Sequence, residues 1–215
     1  MQDIEVSMQY MDEKDISPVQ SDDLYHFTSR GDRQPPSWVA ADIRAMTAEQ
    51  RLQSILTTGL IRTFRPYSKQ VRPEQKRCVC FTEAPISHLA WLMEKRRYEP
   101  YAIVMSRGQI LGAGGGQVAY INCEMTLKAF DRAGLGHWVV PTGGQPDWTH
   151  EREWRMPWQH EQMPIPRLKA ILVPDASWRP VPAGEPLPEL WVKTPIRVWN
   201  PKKKLCTEYA PGKLA

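Results

Sequence analysis

The high proline content of this chain sets the strongest limit on the structures that it can adopt. Twenty of its 215 residues are proline, which is about twice the average share. Proline lacks the backbone N–H that a helix interior requires, and it interrupts strands in the middle of a sheet. We therefore predict short helices, short strands and many loops.

The remaining composition is that of a folded protein. Apolar residues make up 41% of the chain, and nine residues are tryptophan. A chain of this length can build one proper core, and no shift in composition marks an interdomain linker. We predict an N-terminal arm over residues 1–21 and a single domain over residues 22–215.

Signals for membranes, secretion and metals are lacking in the sequence. The first 21 residues are polar and acidic, and no apolar run approaches the roughly 20 residues of a membrane span. The four cysteines do not have the spacing of zinc ligands. We predict a cytoplasmic protein with reduced cysteines, no metal site and no membrane contact.

Two segments have the pattern of amphipathic helices. Thr47 followed by Gln50 matches a capping box, and Gly59 is a natural left-handed end for the helix between them. A second helix is predicted over residues 86–98, where apolar residues recur on one stripe.

Apolar runs between these segments predict strands, most of them joined by connections too short for helical crossovers. We therefore predict an α+β fold with a mainly antiparallel sheet. The predicted strands cover residues 24–28, 78–82, 101–106, 118–123 and 168–173, and a terminal hairpin covers 190–193 and 196–199.

Charged and apolar residues alternate along one short segment in the second half of the chain. An extended strand there would place Glu151, Glu153 and Arg155 on one face, and Trp154 and Met156 on the other. One interpretation is an antiparallel strand with a solvated charged face. The other is that one of these glutamates is a catalytic carboxylate at the mouth of a cleft.

Two further segments combine the residue types that bind nucleic acid. Six basic residues and two aromatic residues alternate over positions 62–77, which suits phosphates and unstacked bases, although a solvated loop has the same pattern. A long glycine-containing loop over positions 134–149 carries further aromatic side chains. The nucleic-acid-binding residues predicted from these segments are Tyr67, Lys69, Arg72, Trp138 and Trp148. The mildly basic net charge of +4 permits such a partner.

The order of four short motifs resembles the ADP-ribosyltransferase-like superfamily. It looks closest to the DarT branch of DNA-modifying toxins and to related phage-defence proteins, and the resemblance covers about residues 24–173. The motifs are Leu24-Tyr25-His26-Phe27-Thr28, Ser54-Ile55-Leu56 before Gly59-Leu60, Val79-Cys80-Phe81-Thr82-Glu83-Ala84-Pro85, and Glu153-Trp154-Arg155-Met156.

The resemblance implies a split antiparallel sheet and roles for three catalytic residues. Glu153 would stabilise the oxocarbenium-like transition state as an N-glycosidic bond breaks. His26 would hydrogen-bond the ribose beside the nicotinamide. Glu151 stands two residues before Glu153, a spacing that occurs in transferases that modify arginine, so the acceptor is left open.

The resemblance also implies that NAD is the co-substrate. Phe81 would line the nicotinamide pocket in place of the usual tyrosine, and Tyr25 and Thr28 would contribute from the first strand. Arg62 or Arg65 would lie near the cofactor. The expected activity is NAD-dependent ADP-ribosylation of DNA bases in toxin or anti-phage defence, with a neutralising antitoxin as a further partner.

Three alternatives stay open from the sequence. The same cleft and Glu153 would also serve a DNA glycosylase that excises a flipped-out, modified phage base without NAD. Trp138, Trp148 or Tyr67 would then stack at the extruded base. The acceptor can instead be a protein, or the chain can bind nucleic acid without chemistry.

Overall fold

The computed structural model describes residues 20–29, 31, 39–65, 76–142 and 149–214. Within these ranges the chain forms twelve strands and six α-helices. The strands are β1 (Asp23–Phe27), β2 (Leu60–Arg62), β3 (Arg77–Glu83), β4 (Ala102–Ser106), β5 (Gly116–Gln117), β6 (Ala119–Ile121), β7 (Val139–Pro141), β8 (Glu153–Trp158), β9 (Gln162–Pro164), β10 (Ala170–Val173), β11 (Ile196–Asn200) and β12 (Leu205–Tyr209). The helices are α1 (Ala41–Ala45), α2 (Ala48–Thr58), α3 (Ile86–Lys95), α4 (Arg107–Gly112), α5 (Glu124–Arg132) and α6 (Glu189–Lys193).

Eight strands form one sheet in the order β12-β11-β10-β4-β1-β3-β8-β5. Every neighbouring pair in it is antiparallel except β10 and β11, which are parallel. Two small sheets pair β2 with β9 and β6 with β7. The prediction of an α+β fold with a mainly antiparallel sheet is confirmed. Short helices are more numerous than the two that the sequence predicted.

Helix α2 begins and ends as its sequence predicts. The Thr47 hydroxyl accepts a hydrogen bond from the Gln50 amide at 3.1 Å, and the Gln50 side chain accepts one from the Thr47 amide at 2.9 Å. Gly59 ends the helix in the left-handed region, with a φ of 67°. Thr47→Ala would remove the N-terminal cap and lower the free energy of unfolding by about 1 kcal/mol.

Side-chain alternation gives the large sheet two buried faces. The face that packs against α2 is called the α2 face here. Its residues Leu24 and Phe81 form one apolar cluster with Leu52 of the helix. The opposite face packs against α3 and is called the α3 face. Its residue Tyr25 forms a second apolar cluster with Leu89 of α3. A side chain on β1, β3 or β8 therefore points to one layer or the other, according to its register.

The predicted strand at positions 190–193 is wrong, because this segment is helix α6. Pro188 stands just before the helix and its carbonyl accepts the Trp191 amide at 3.0 Å, while the Trp191 side chain is buried. The terminal hairpin is formed by β11 and β12 instead. Lys202 and Lys203 lie exposed in its turn.

Helices α4 and α5 are not predicted by the sequence. The first begins at a capping box of Ser106 and Gln109 directly after β4, and the periodicity of the strand does not indicate that a helix follows. The second has no buried residue, so no apolar run marks it.

Residues 1–19 of the predicted arm lie outside the described residues, and Ser21 donates its backbone N–H to Glu83 at 3.1 Å. None of the helices in the described ranges has both the length and the apolar character to cross a membrane.

Candidate active site

Strand β8 places Glu153 and Arg155 side by side on the α3 face. Their partners on β3 are Thr82 and Cys80, and Trp154 faces the other side of the sheet. The predicted alternation along this strand is confirmed from Glu153 onward. The interpretation that this strand has a solvated charged face is wrong for these two residues, because Glu153 is 8% exposed and Arg155 is 4% exposed. The charged face of the strand is buried rather than solvated.

Arg155 holds the Glu153 carboxylate in a two-point ion pair. Its Nε lies 2.9 Å from Oε1, and its Nη2 lies 3.2 Å from Oε2. Its Nη1 donates to the carbonyls of His137 at 2.8 Å and Val139 at 3.2 Å, which ties the pair to the chain before β7. Burial alone would lower the pKa of Arg155, but the Cys80 thiol and the Glu153 carboxylate raise it above its usual range. A planar, permanently charged guanidinium is suited to fixing a carboxylate in this way.

The Tyr120 hydroxyl is the second polar group beside Glu153. It accepts the backbone N–H of Glu153 at 2.7 Å, and within the described ranges no other hydrogen bond of this hydroxyl is found. Burial raises the pKa of Tyr120, and the carboxylates of Glu153 and Glu151 raise it further. The phenol therefore keeps its proton, for which the described residues supply no acceptor. The sequence did not single out Tyr120, because β6 is only three residues long and the partner is a backbone amide.

Glu151 lies beside the strand rather than on it. It ends a 3₁₀ turn over Thr149–Glu151, and its Oε1 accepts the Tyr98 hydroxyl at 3.2 Å. Tyr98 in turn packs on Phe27, with ring centroids 5.0 Å apart. Glu151 and Glu153 both act on the pKa of Tyr120, so the hydroxyl lies in the field of two carboxylates.

The backbone between the two glutamates explains this arrangement. Arg152 has a φ of 44°, in the left-handed region, so the extended pattern that would have put Glu151 on the strand stops there. Such a residue stores on the order of 1 kcal/mol of strain and needs support from its surroundings. The Arg152 amide donates to Thr149 at 3.2 Å, and its guanidinium lies 2.7 Å from Glu83.

Glu83 is a second buried carboxylate, on the α2 face at the end of β3. Its side chain is fully buried, and besides Arg152 it accepts from Ser21, Trp154 and Arg107 at 3.1, 3.1 and 2.8 Å. The sequence indicates only a turn here, since nothing local shows that two arginines distant in the chain converge on this position.

His26 and Phe81 do not share a cleft with Glu153. His26 pairs with Ile103 on the α2 face, and its ring lies 5.8 Å from that of Phe81. Phe81 is 1% exposed in the core, so the expectation that it lines an accessible pocket is wrong. The His26 Nδ1 is 2.8 Å from the Cys80 carbonyl, where β1 and β3 diverge. The register of the sheet therefore separates the residues that the family resemblance would group.

The other predicted cofactor-binding residues are dispersed. The Tyr25 hydroxyl is buried beside Arg197 at 3.2 Å, and the Thr28 hydroxyl donates to the Ala48 carbonyl at 2.7 Å. Arg62 pairs with Asp42 at 3.1 Å, and Arg65 is exposed. None of these contacts reaches Glu153.

Most of the predicted nucleic-acid-binding residues lie outside the described part of the chain. These are Tyr67, Lys69, Arg72 and Trp148. Trp138 is described and half-buried, with its ring 5.2 Å from that of His137 and against Gly116. It packs at the edge of β5 rather than projecting from the loop.

One of the four cysteines, Cys80, lies opposite Arg155 in this site. The four cysteines are free thiols, and burial, followed by its neighbour Cys78, raises the pKa of Cys80. Over the described ranges, no group of three or more His, Cys, Asp or Glu side chains is arranged to hold a metal ion.

Comparison with known proteins gives no relative for this site. No family model, no curated protein and no solved structure matches the chain.

Proposed function

We propose that this protein breaks an N-glycosidic bond of a nucleotide substrate at the Glu153 site and acts on nucleic acid. The observation that carries the proposal is the grouping of two carboxylates and one protonated phenol. Arg155 fixes Glu153, Glu153 holds Tyr120 through its amide, and Glu151 lies on the more open side.

Each group has a defined part in such a reaction. Breaking the bond between C1′ and the base nitrogen leaves positive charge on the sugar, and a fixed carboxylate stabilises that charge. The electron pair of the broken bond goes to the leaving base, and Tyr120 is placed to hydrogen-bond it. The incoming nucleophile loses its proton to Glu151. Since a carboxylate has about four acceptor positions and Arg155 uses two, Glu153 keeps acceptor capacity for the sugar.

In the first form of the proposal the bond belongs to NAD, and ADP-ribose passes to a base of DNA. Nicotinamide is then the leaving group and the acceptor base is the nucleophile. This form rests on the family resemblance and implies a neutralising antitoxin as a partner, as for toxins of the DarT type.

A second form, a DNA glycosylase, is favoured by the separation of His26 and Phe81 from Glu153. These two residues were expected to hold the nicotinamide end of NAD, and they lie on the α2 face. A glycosylase needs no such contacts, because water is the nucleophile and the flipped base is the leaving group.

Mass spectrometry of DNA incubated with the purified protein, with and without NAD, separates the two forms. A mass gain that requires NAD supports the transferase, and base release without NAD supports the glycosylase. Glu151→Gln is the test variant, because Glu151 is only half-buried and glutamine keeps an oxygen to accept the Tyr98 hydroxyl, so we expect the fold to stay intact. Glu185→Gln, at an exposed glutamate, is the matched control.

Three results would contradict the proposal. Activity that survives in Glu151→Gln, Tyr120→Phe and Glu153→Gln would show that this site is not the reacting one. A mass gain on added protein and not on DNA would move the acceptor to protein. Binding of DNA without any product would leave a nucleic-acid-binding protein without chemistry.

A further inference from the structure

An exposed tryptophan stands close to the candidate active site on the outer side of α3. Trp91 is 38% exposed, although it is a large aromatic side chain. The ring of His88 stacks on it at 5.5 Å with an interplanar angle of 12°, and the ring of His150 meets it edge-on at 5.3 Å. Two neighbours therefore hold the indole in place while part of it faces solvent.

This aromatic group is joined to the carboxylates by the backbone. His150 directly precedes Glu151 in the 3₁₀ turn, so their Cα atoms are about 3.8 Å apart. The Tyr98 hydroxyl, just beyond the end of α3, donates to Glu151. The indole therefore contacts one residue of this short turn, and Glu151 is the next residue.

We propose that Trp91, supported by His88 and His150, is a stacking platform for an unpaired base of a single-stranded nucleic acid. This proposal rests on the proposed function, because Trp91 matters for the reaction only if Glu151 and Glu153 form the active site. It adds a subsite for the substrate that the proposed function does not specify. A base stacks on an indole through the π-face that all bases have, so such a platform is tolerant of sequence.

One exposed positive charge on the same side of α3 suits a polyanion. Lys95 is exposed and stands one helical turn after Trp91, on the same side of α3. Burial lowers the pKa of His88, and Arg152 adds to this effect, so the ring stacks in its neutral form near pH 7.

The support given by the two histidines also favours binding. An exposed tryptophan that must be ordered by its ligand loses part of the binding free energy, whereas one that already contacts two neighbouring rings loses less. A nucleotide that stacks on Trp91 would place the next nucleotide at Glu151, where the sugar chemistry is proposed.

Fluorescence anisotropy with a labelled single strand of about 12 nucleotides tests the platform directly. We expect Trp91→Ala to weaken binding about 5-fold to 100-fold, and Trp91→Phe to weaken it less. Ile86→Ala is the matched control, because Ile86 is an apolar residue of the same helix and is 51% exposed. It should leave the affinity unchanged.

Several outcomes would overturn the proposal. These are unchanged binding in Trp91→Ala, an equal loss in Ile86→Ala, and an equal loss for the single strand and its annealed duplex. Absence of binding by the unaltered protein would do the same.

Activity measured in the same preparations keeps the two proposals apart. If Trp91→Ala forms product and binds as well as the unaltered protein, the platform is contradicted and the proposed function is not. If binding depends on Trp91 but no product forms, the proposed function is contradicted and the platform is not.

Discussion

Glu83 and Glu153 are buried glutamates on neighbouring strands with opposite surroundings. Glu83 is fully buried on the α2 face, and two arginines, one tryptophan and one backbone amide donate to it. Glu153 lies on the α3 face, and only Arg155 donates to its carboxylate among the described residues. One carboxylate has its acceptor positions filled by the protein, and the other keeps some of them open.

This is the difference that we expect between a structural carboxylate and a reactive one. A buried charge with all of its hydrogen bonds made holds distant segments together, and it offers nothing to a ligand. A buried charge with one fixed partner is oriented without being saturated, as a catalytic group must be. Arg152 connects the two, because it binds Glu83 and directly precedes Glu153.

The largest expected effect is on folding at Glu83. Glu83→Ala leaves Arg107 and Arg152 without their buried partner, and we expect a loss of about 5 kcal/mol in the free energy of unfolding. Glu153→Ala leaves only Arg155, and we expect about 3 kcal/mol. Urea unfolding of both variants measures the difference. An equal loss would show that Glu153 is as structural as Glu83.

The next effect is on the reaction and leaves folding almost unchanged. Tyr120→Phe removes the hydroxyl beside Glu153, and we expect the rate of product formation to fall about 100-fold, as when one positioned donor is lost. The free energy of unfolding should fall by only about 1 kcal/mol. Tyr209→Phe, on the edge strand β12, is the control. A stability loss without a change in rate would make Tyr120 a packing residue.

A smaller effect is expected where β8 meets the chain before β5. A Cβ on Gly115 would stand 2.7 Å from the Arg155 carbonyl and 2.5 Å from Ile110 Cγ2. We expect Gly115→Ala to cost about 1–3 kcal/mol by overpacking and to loosen the Glu153 side of the sheet. Gly112→Ala, where a Cβ meets nothing within 4 Å, should be neutral or slightly stabilising. Thermal unfolding compares the two, and equal midpoints would contradict the close packing.

Local sequence patterns predicted the caps, strands and side-chain alternation that depend on local interactions. The pairing of distant strands determined which residues lie together. The capping box of Thr47, the strand around His26 and the alternation of Glu153 with Trp154 were all visible in the sequence. The face to which His26 points was not, because it depends on pairing between β1 and β4, which are far apart in the chain.

The two glutamates show the same limit within the candidate site. The strand pattern placed Glu151 with Glu153, but the left-handed Arg152 takes it off the strand. No periodicity marks a residue with positive φ when it is not glycine. The partners of Glu83 and the two carbonyl partners of Arg155 were hidden for a related reason, since they are backbone groups or belong to other segments of the chain.

The smallest effect is a pH dependence at His137, on the Glu153 side of the sheet. The His137 carbonyl holds Arg155, and the His137 side chain is 2% exposed. Burial lowers the pKa of His137, and the positive charges of Lys76 and Arg155 lower it further. In the unfolded chain the pKa is about 6.5. The unfolded state therefore takes up a proton first as the pH falls, and this part of the stability is present above about pH 6.5 and is lost below it.

Urea unfolding at several pH values between about 7.5 and 5 measures this loss. His137→Gln should make the free energy of unfolding flatter than that of the unaltered protein over this range. His160→Gln is the matched control, because His160 is exposed, with its ring 6.4 Å from that of Trp158. His137→Gln should change the rate of product formation over this pH range, and His160→Gln should not. An equal change in both variants would show that the Arg155 anchor is not the sensitive contact.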